Sequence, residues 1–127
     1  MKTAILLMAH GSRIAEANDA AREVAAMVRE MTGFEIVEVS FREMHEPNIQ
    51  QGIDACVEAG AGRIILMPYF LYMGAHVRED LPAEMAEAKQ RYPRVEFVMG
   101  SHLGAHRKLA EIVAERIAET TEGAGCP

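Results

Sequence analysis

The chain has 127 residues, a length that suits one domain, and half of them are apolar, enough to fill a core. Its formal net charge of −6 argues against nucleic acid and anionic membrane as partners, because both select basic surfaces. No apolar run reaches membrane-spanning length, and two cysteines, Cys56 and Cys126, cannot build a disulfide framework, so a cytoplasmic protein is expected.

The apolar pattern switches repeatedly between strand and helix periods. "TAILLMA", residues 3–9, is a continuous apolar run, as in a strand covered on both faces. It leads straight into a glycine turn, which suits a strand end better than a signal peptide. Residues 14–31 carry Ala17, Ala21, Val24, Val28 and Met31 at helical spacing, and Gly33 follows as a stop. "EIVEVSF", 35–41, is β-branched and partly alternating, so it reads as a strand nearer an edge. Residues 47–59 open with Pro47 and set Ile49, Ile53, Cys56 and Val57 on one helical face. "RIILMPYF", 63–70, reads as a central strand. Residues 81–91 form a helix with Pro82 in its first turn and Pro93 closing it, and Asp80 reads as its N-cap. "VEFVMG", 95–100, is the last strand, and residues 104–120 line up Leu109, Ile112, Val113 and Ile117 on one helical face. "TTEGAGCP" closes the chain as solvated sequence, giving a single domain over 1–120 and a flexible tail over 121–127.

This β-α alternation with short connections predicts an α/β three-layer sandwich. Its sheet is parallel and four- or five-stranded, with helices on both faces and strand order 2-1-3-4 as in flavodoxin-like folds. Ligands of such sheets bind beyond the carboxyl ends of the strands, where the order reverses. His10 ends the first strand and His76 lies in the loop after the third, so the two should face each other across that crevice. Paired imidazoles suit a borderline divalent metal such as Co, Ni, Fe or Zn, and proton transfer near neutral pH. A single such histidine is explained as well by capping a turn; a pair at the switch point favours a site.

Other motifs divide between structure and chemistry. "HGS" before a helix could offer the Gly11 and Ser12 N–H groups to an anion, or simply form a tight turn. "HLGAH" places His102 and His106 one turn apart, but Gly104 argues for surface histidines. "REMHEP" puts Arg42, Glu43, His45 and Glu46 at the ligand end of the second strand. Tyr69, Phe70 and Tyr72 read as core or pocket wall, and an aromatic wall also suits a flat ligand.

"AHGSR" after the first strand, "EMHEP" after the second and "PYFLYMGAHVREDLP" after the third together resemble the small sirohydrochlorin chelatases of the CbiX/SirB group. The archaeal nickel- and cobalt-inserting members are similar. The resemblance covers most of the chain, in order and with family-like spacing. An "RHG" histidine phosphatase fits less well, because Ala9 stands where that motif has arginine. The resemblance implies a class II chelatase fold and insertion of a divalent metal, Co²⁺ first and Ni²⁺ or Fe²⁺ next, into sirohydrochlorin. The metal is then the substrate, with no organic cofactor, and the pathway is to cobalamin or siroheme. Carried over by motif, His10 is metal ligand and proton acceptor and His76 the second ligand. Glu46, with Leu71, Tyr72, Met73, Gly74, Ala75 and His76, would touch the macrocycle, with Glu43 the alternative carboxylate. One small domain supplies half of a two-lobed cleft, so a homodimer is expected. Arg13, Arg42 and Arg78 could form a positive rim for the substrate's carboxylates. Two other classes use the same residues: a non-catalytic metal or tetrapyrrole carrier, and an anion-binding module centred on Gly11 and Ser12.

Overall fold

Strand and helix alternate through the whole chain in the computed structural model, which describes residues 1–124. The elements are β1 (Lys2–Ala9), α1 (Ala15–Thr32), β2 (Ile36–Phe41), α2 (Ile49–Glu58), β3 (Ala61–Pro68), α3 (Ala75–Arg91), β4 (Glu96–Met99) and α4 (Arg107–Ala124). All three strand pairings are parallel and the order is β2-β1-β3-β4, the expected four-stranded arrangement. The order reverses between β1 and β3, so the switch point lies where the histidine motifs lead out of the sheet.

Strand periodicity decides which side chain meets which helix. Ala4, Leu6 and Met8 of β1 join Ile64 and Leu66 of β3 under α2 and α3. Ile5, Leu7 and Ala9 turn to the other face and meet Ala21 and Ala25 of α1. Ile53, Leu66 and Leu81 are wholly buried, and each such side chain contributes about 1.5–3 kcal/mol. Gly52 allows α2 to lie flat on the sheet: a Cβ there would come within 2.9 Å of the Leu6 and Ser40 side chains. A capping box between Asn48 and Gln51 starts α2, so Pro47 precedes the helix.

Three local expectations are corrected. The helix expected at 81–91 begins six residues earlier, at Ala75, with Gly74 as its N-cap. Asp80 is therefore inside α3 and is not an N-cap. Pro82 is interior as well, on the exposed face of the helix, and has no N–H to give the Arg78 carbonyl. The buried stripe of α1 is Asn18, Ala21 and Ala25, while Met31 is exposed. The last helix continues to Ala124, into the stretch expected as tail; Cys126 lies outside the described residues.

Helix α4 has the expected stripe but no substantial packing against another element, among the described residues. Ile112, Val113 and Ile117 are exposed, and Val98 of β4 is also open. On its second face the sheet is therefore covered by α1 alone.

Candidate active site

The loops at the carboxyl end of the sheet are tied to one another through their backbones. Where β1 ends, the carbonyls of Ala9 and His10 accept the Arg42 and Glu43 N–H groups, at 2.8 and 3.0 Å. Gly11 makes this approach possible. Its φ is +91°, and a Cβ there would fall 1.8 Å from the Glu43 carbonyl oxygen. Beyond it, Met44 has a left-handed φ of 63°, uncommon for a residue with a side chain. On the other side, Tyr69 donates its N–H to the Met8 carbonyl, so the β3 exit is fixed to the same strand end.

His10 stands at this junction, exposed, with its ring edge-on to buried Phe70 at 4.3 Å between centroids. A recess of about 210 Å³ beside it is lined by Ser12, Asn18, Phe41 and Tyr69 among others. His76 is expected in a loop but is the second residue of α3, exposed at the same end of the sheet. Both histidines thus follow the carboxyl ends of neighbouring strands, His10 directly after β1 and His76 after the loop that leaves β3. Among the described residues no hydrogen bond joins the two rings, and no three His, Cys, Asp or Glu side chains group together as a metal-binding set. In the connecting loop, Leu71 and Tyr72 are exposed, at 60% and 78%, and present apolar area to a flat ligand.

The remaining motif residues separate. Glu46 is exposed and accepts a 2.7 Å hydrogen bond from Gln51 Nε2, beside the cap of α2. Glu43 instead lines a groove of about 590 Å³ with Arg42, Asp80, Ala83, Glu84 and Glu87. His45 packs edge-on to Phe41, and its Nε2 lies 3.0 Å from Arg22. His106 uses Nδ1 to accept the Lys108 N–H at the start of α4, a capping role rather than half of a metal pair. Arg42 is engaged by Asp80 and Glu43, which removes it from the expected rim; Arg13 and Arg78 are exposed and have no ion pair among the described residues. Phe70 is core, whereas Tyr69 is wall.

Two features escaped the sequence reading. Asn18 is buried and closes the turn after His10, taking the Ser12 N–H on Oδ1 and returning Nδ2–H to the Ser12 carbonyl. The signal was available: a polar residue set among alanines on a helix face must have partners if it is buried. This pairing also occupies the Ser12 N–H that an anion would need, which counts against the anion-binding module. The second is the pairing of Arg42 with Asp80; they are thirty-eight positions apart, and no local pattern links them.

The CbiX family model matches residues 4–120. The chain belongs to the CbiX family. Among its relatives, a sirohydrochlorin ferrochelatase of Priestia megaterium is 38% identical over 117 residues, which are 92% of this chain and 44% of that protein. A sirohydrochlorin cobaltochelatase of Methanopyrus kandleri is 32% identical over 91% of this chain and 95% of its own. The crystal structure of the sirohydrochlorin chelatase SirB from Bacillus subtilis subspecies spizizenii in complex with cobalt superposes with a TM-score of 0.87. The match is 34% identical and covers 94% of this chain and 51% of that one. The chain spans about half the length of the first of these relatives and of SirB, and nearly all of the Methanopyrus protein. Membership agrees with the α/β fold and with the order in which the three motif loops leave the sheet.

Proposed function

We propose that this CbiX-family chain inserts a divalent metal, Co²⁺ in the first instance, into sirohydrochlorin. The observation that carries the reading is the arrival of His10 and His76 at neighbouring strand exits beside the exposed loop of Leu71 and Tyr72. Two imidazoles suit Co²⁺, and also Ni²⁺ and Fe²⁺, without selecting strongly among them. Metal insertion requires the macrocycle to lose two pyrrole protons. His10 and His76 hold the metal over the ring face; as the metal passes to the ring nitrogens, His10 regains its free lone pair and accepts one of the protons, and Glu46 or water takes the other. Glu46, Leu71, Tyr72, Met73, Gly74, Ala75 and His76 form the macrocycle surface, with Glu46 leaving Gln51 to do so. Exposed Arg13 and Arg78 meet the substrate carboxylates.

The working unit in this reading is a cytoplasmic homodimer. The exposed apolar face of α4 supports it: Ile112, Val113 and Ile117 need a cover, and a trough of about 500 Å³ joins Ile112 and Val113 to Leu71 of the macrocycle loop.

The deciding experiment is a spectral assay of sirohydrochlorin with Co²⁺, Ni²⁺ and Fe²⁺ in parallel. Turnover beyond one equivalent is expected with Co²⁺. Saturation at one equivalent would mark a carrier, and no spectral change with any of the three would reject the reading.

A further inference from the structure

We infer that Arg42 and Asp80 form a strut that fixes the separation of the His10 and His76 side chains, making both of them positioning residues for the metal. The inference rests on the proposed use of the two histidines. Arg42 is held at both ends. Its backbone N–H donates to Ala9, and the next N–H donates to His10, so its main chain is pinned to the strand end that carries His10. Its side chain crosses to α3 and donates from Nη2 to Asp80 Oδ2 at 2.6 Å. Asp80 follows His76 by four residues, one helical turn along the same face. One residue therefore connects the His10 strand to the His76 face of the helix.

The setting distinguishes this pair from an ordinary surface bridge. Only 19% of the Arg42 side chain is exposed, so its charge is poorly screened and its rotamer is restricted. A second carboxylate, Glu43, lies 3.6 Å from Nη1, so the planar guanidinium is oriented by two anions at once. The Arg42 Nε is buried without a partner among the described residues. The low exposure and the two carboxylates together give the guanidinium one defined direction, as a positioning part needs. Catalytic ligands need such a part: a displacement of about 1 Å costs up to about a hundredfold in rate.

The test compares Arg42→Ala, Asp80→Asn, their combination, and the charge exchange Arg42→Asp with Asp80→Arg, each first shown to be folded by circular dichroism. Three quantities are read on the full chain. They are amide exchange at Arg78, Glu79 and Asp80 without metal, Co²⁺ affinity without tetrapyrrole, and kcat and KM for insertion. Each single variant should speed exchange there and weaken Co²⁺ affinity and kcat by about tenfold, with KM nearly unchanged. The double variant should be no worse than the singles, and the charge exchange should recover most of the loss. Unchanged exchange with additive losses, or losses that merely follow a lower melting temperature, would overturn the strut. A wild type that binds Co²⁺ but never inserts it would reject the proposed function, while exchange and Co²⁺ affinity still decide the strut. A wild type that binds no Co²⁺ would overturn both.

Discussion

Replacing Gly11 with alanine should damage the site and the fold together, by an amount the geometry allows to be worked out. The residue sits at φ +91°, where a side chain costs about 1–2 kcal/mol. The new Cβ would also lie 1.8 Å from the Glu43 carbonyl oxygen, well inside any real contact, so one of the two backbones must move by about 1 Å or more. That movement breaks the Glu43 N–H bond to the His10 carbonyl, for a further loss of about 0.5–1.5 kcal/mol. The sum is about 1.5–3.5 kcal/mol, or a fall of roughly 5–15 °C in melting temperature for a domain of this size. Gly33 provides the control. It has φ +77° but nothing within 4 Å of a new Cβ, so Gly33→Ala should show the backbone term alone, about 1–2 kcal/mol. Thermal unfolding measures both variants, and Co²⁺ titration and metal insertion measure the site. Gly11→Ala should lose metal handling and Gly33→Ala should keep it. Equal melting temperatures for the two variants, with insertion intact in both, would refute the claim that the β1 and β2 exits depend on this contact.

Three further outcomes are expected. His10→Ala and His76→Ala should each abolish insertion with the fold retained, since both side chains are exposed, and together should be no worse than either alone; additive partial losses in the spectral assay would contradict their action as a unit. Asp54 accepts from the Tyr92 hydroxyl, which holds its carboxyl below the ordinary 3.8 and holds the Tyr92 phenol above the ordinary 10.0. The Asp54 contribution is present above the unfolded value and lost as pH falls through the lowered one; the Tyr92 contribution is present below its unfolded value and lost as pH rises through the raised one. Asp54→Ala should therefore flatten the melting profile at both extremes, and an unchanged acid limb would disprove the assignment. Ile112→Asp with Val113→Asp should give a monomer by light scattering with lower activity, because charge on that face prevents its burial; a dimer that survives both changes would place the interface elsewhere.

Much of this protein is readable from local pattern. Continuous apolar runs at β1 and β3 mark buried parallel strands, because a strand covered on both faces has no polar side to show. The β-α alternation with helices for both faces points to a doubly wound parallel sheet whose ligands bind beyond the carboxyl ends of the strands, so the position of His10 was legible once the first strand was recognised. The start of α3 was not legible. Pro82 mimics a first-turn proline, and only the packing of Val77 and Leu81 into the core carries the helix back to Ala75 and makes His76 helical. Burial of Asn18 was decided in three dimensions too, because the turn it satisfies forms only when α1 docks. The Arg42–Asp80 pair depends on the β2 exit meeting helix α3 across the sheet end, which no periodicity records. The α4 stripe was plain from its spacing, yet spacing says only that a face is apolar. Tertiary structure showed that within one chain this face has no cover, because the helix leaves the sheet it would otherwise bury.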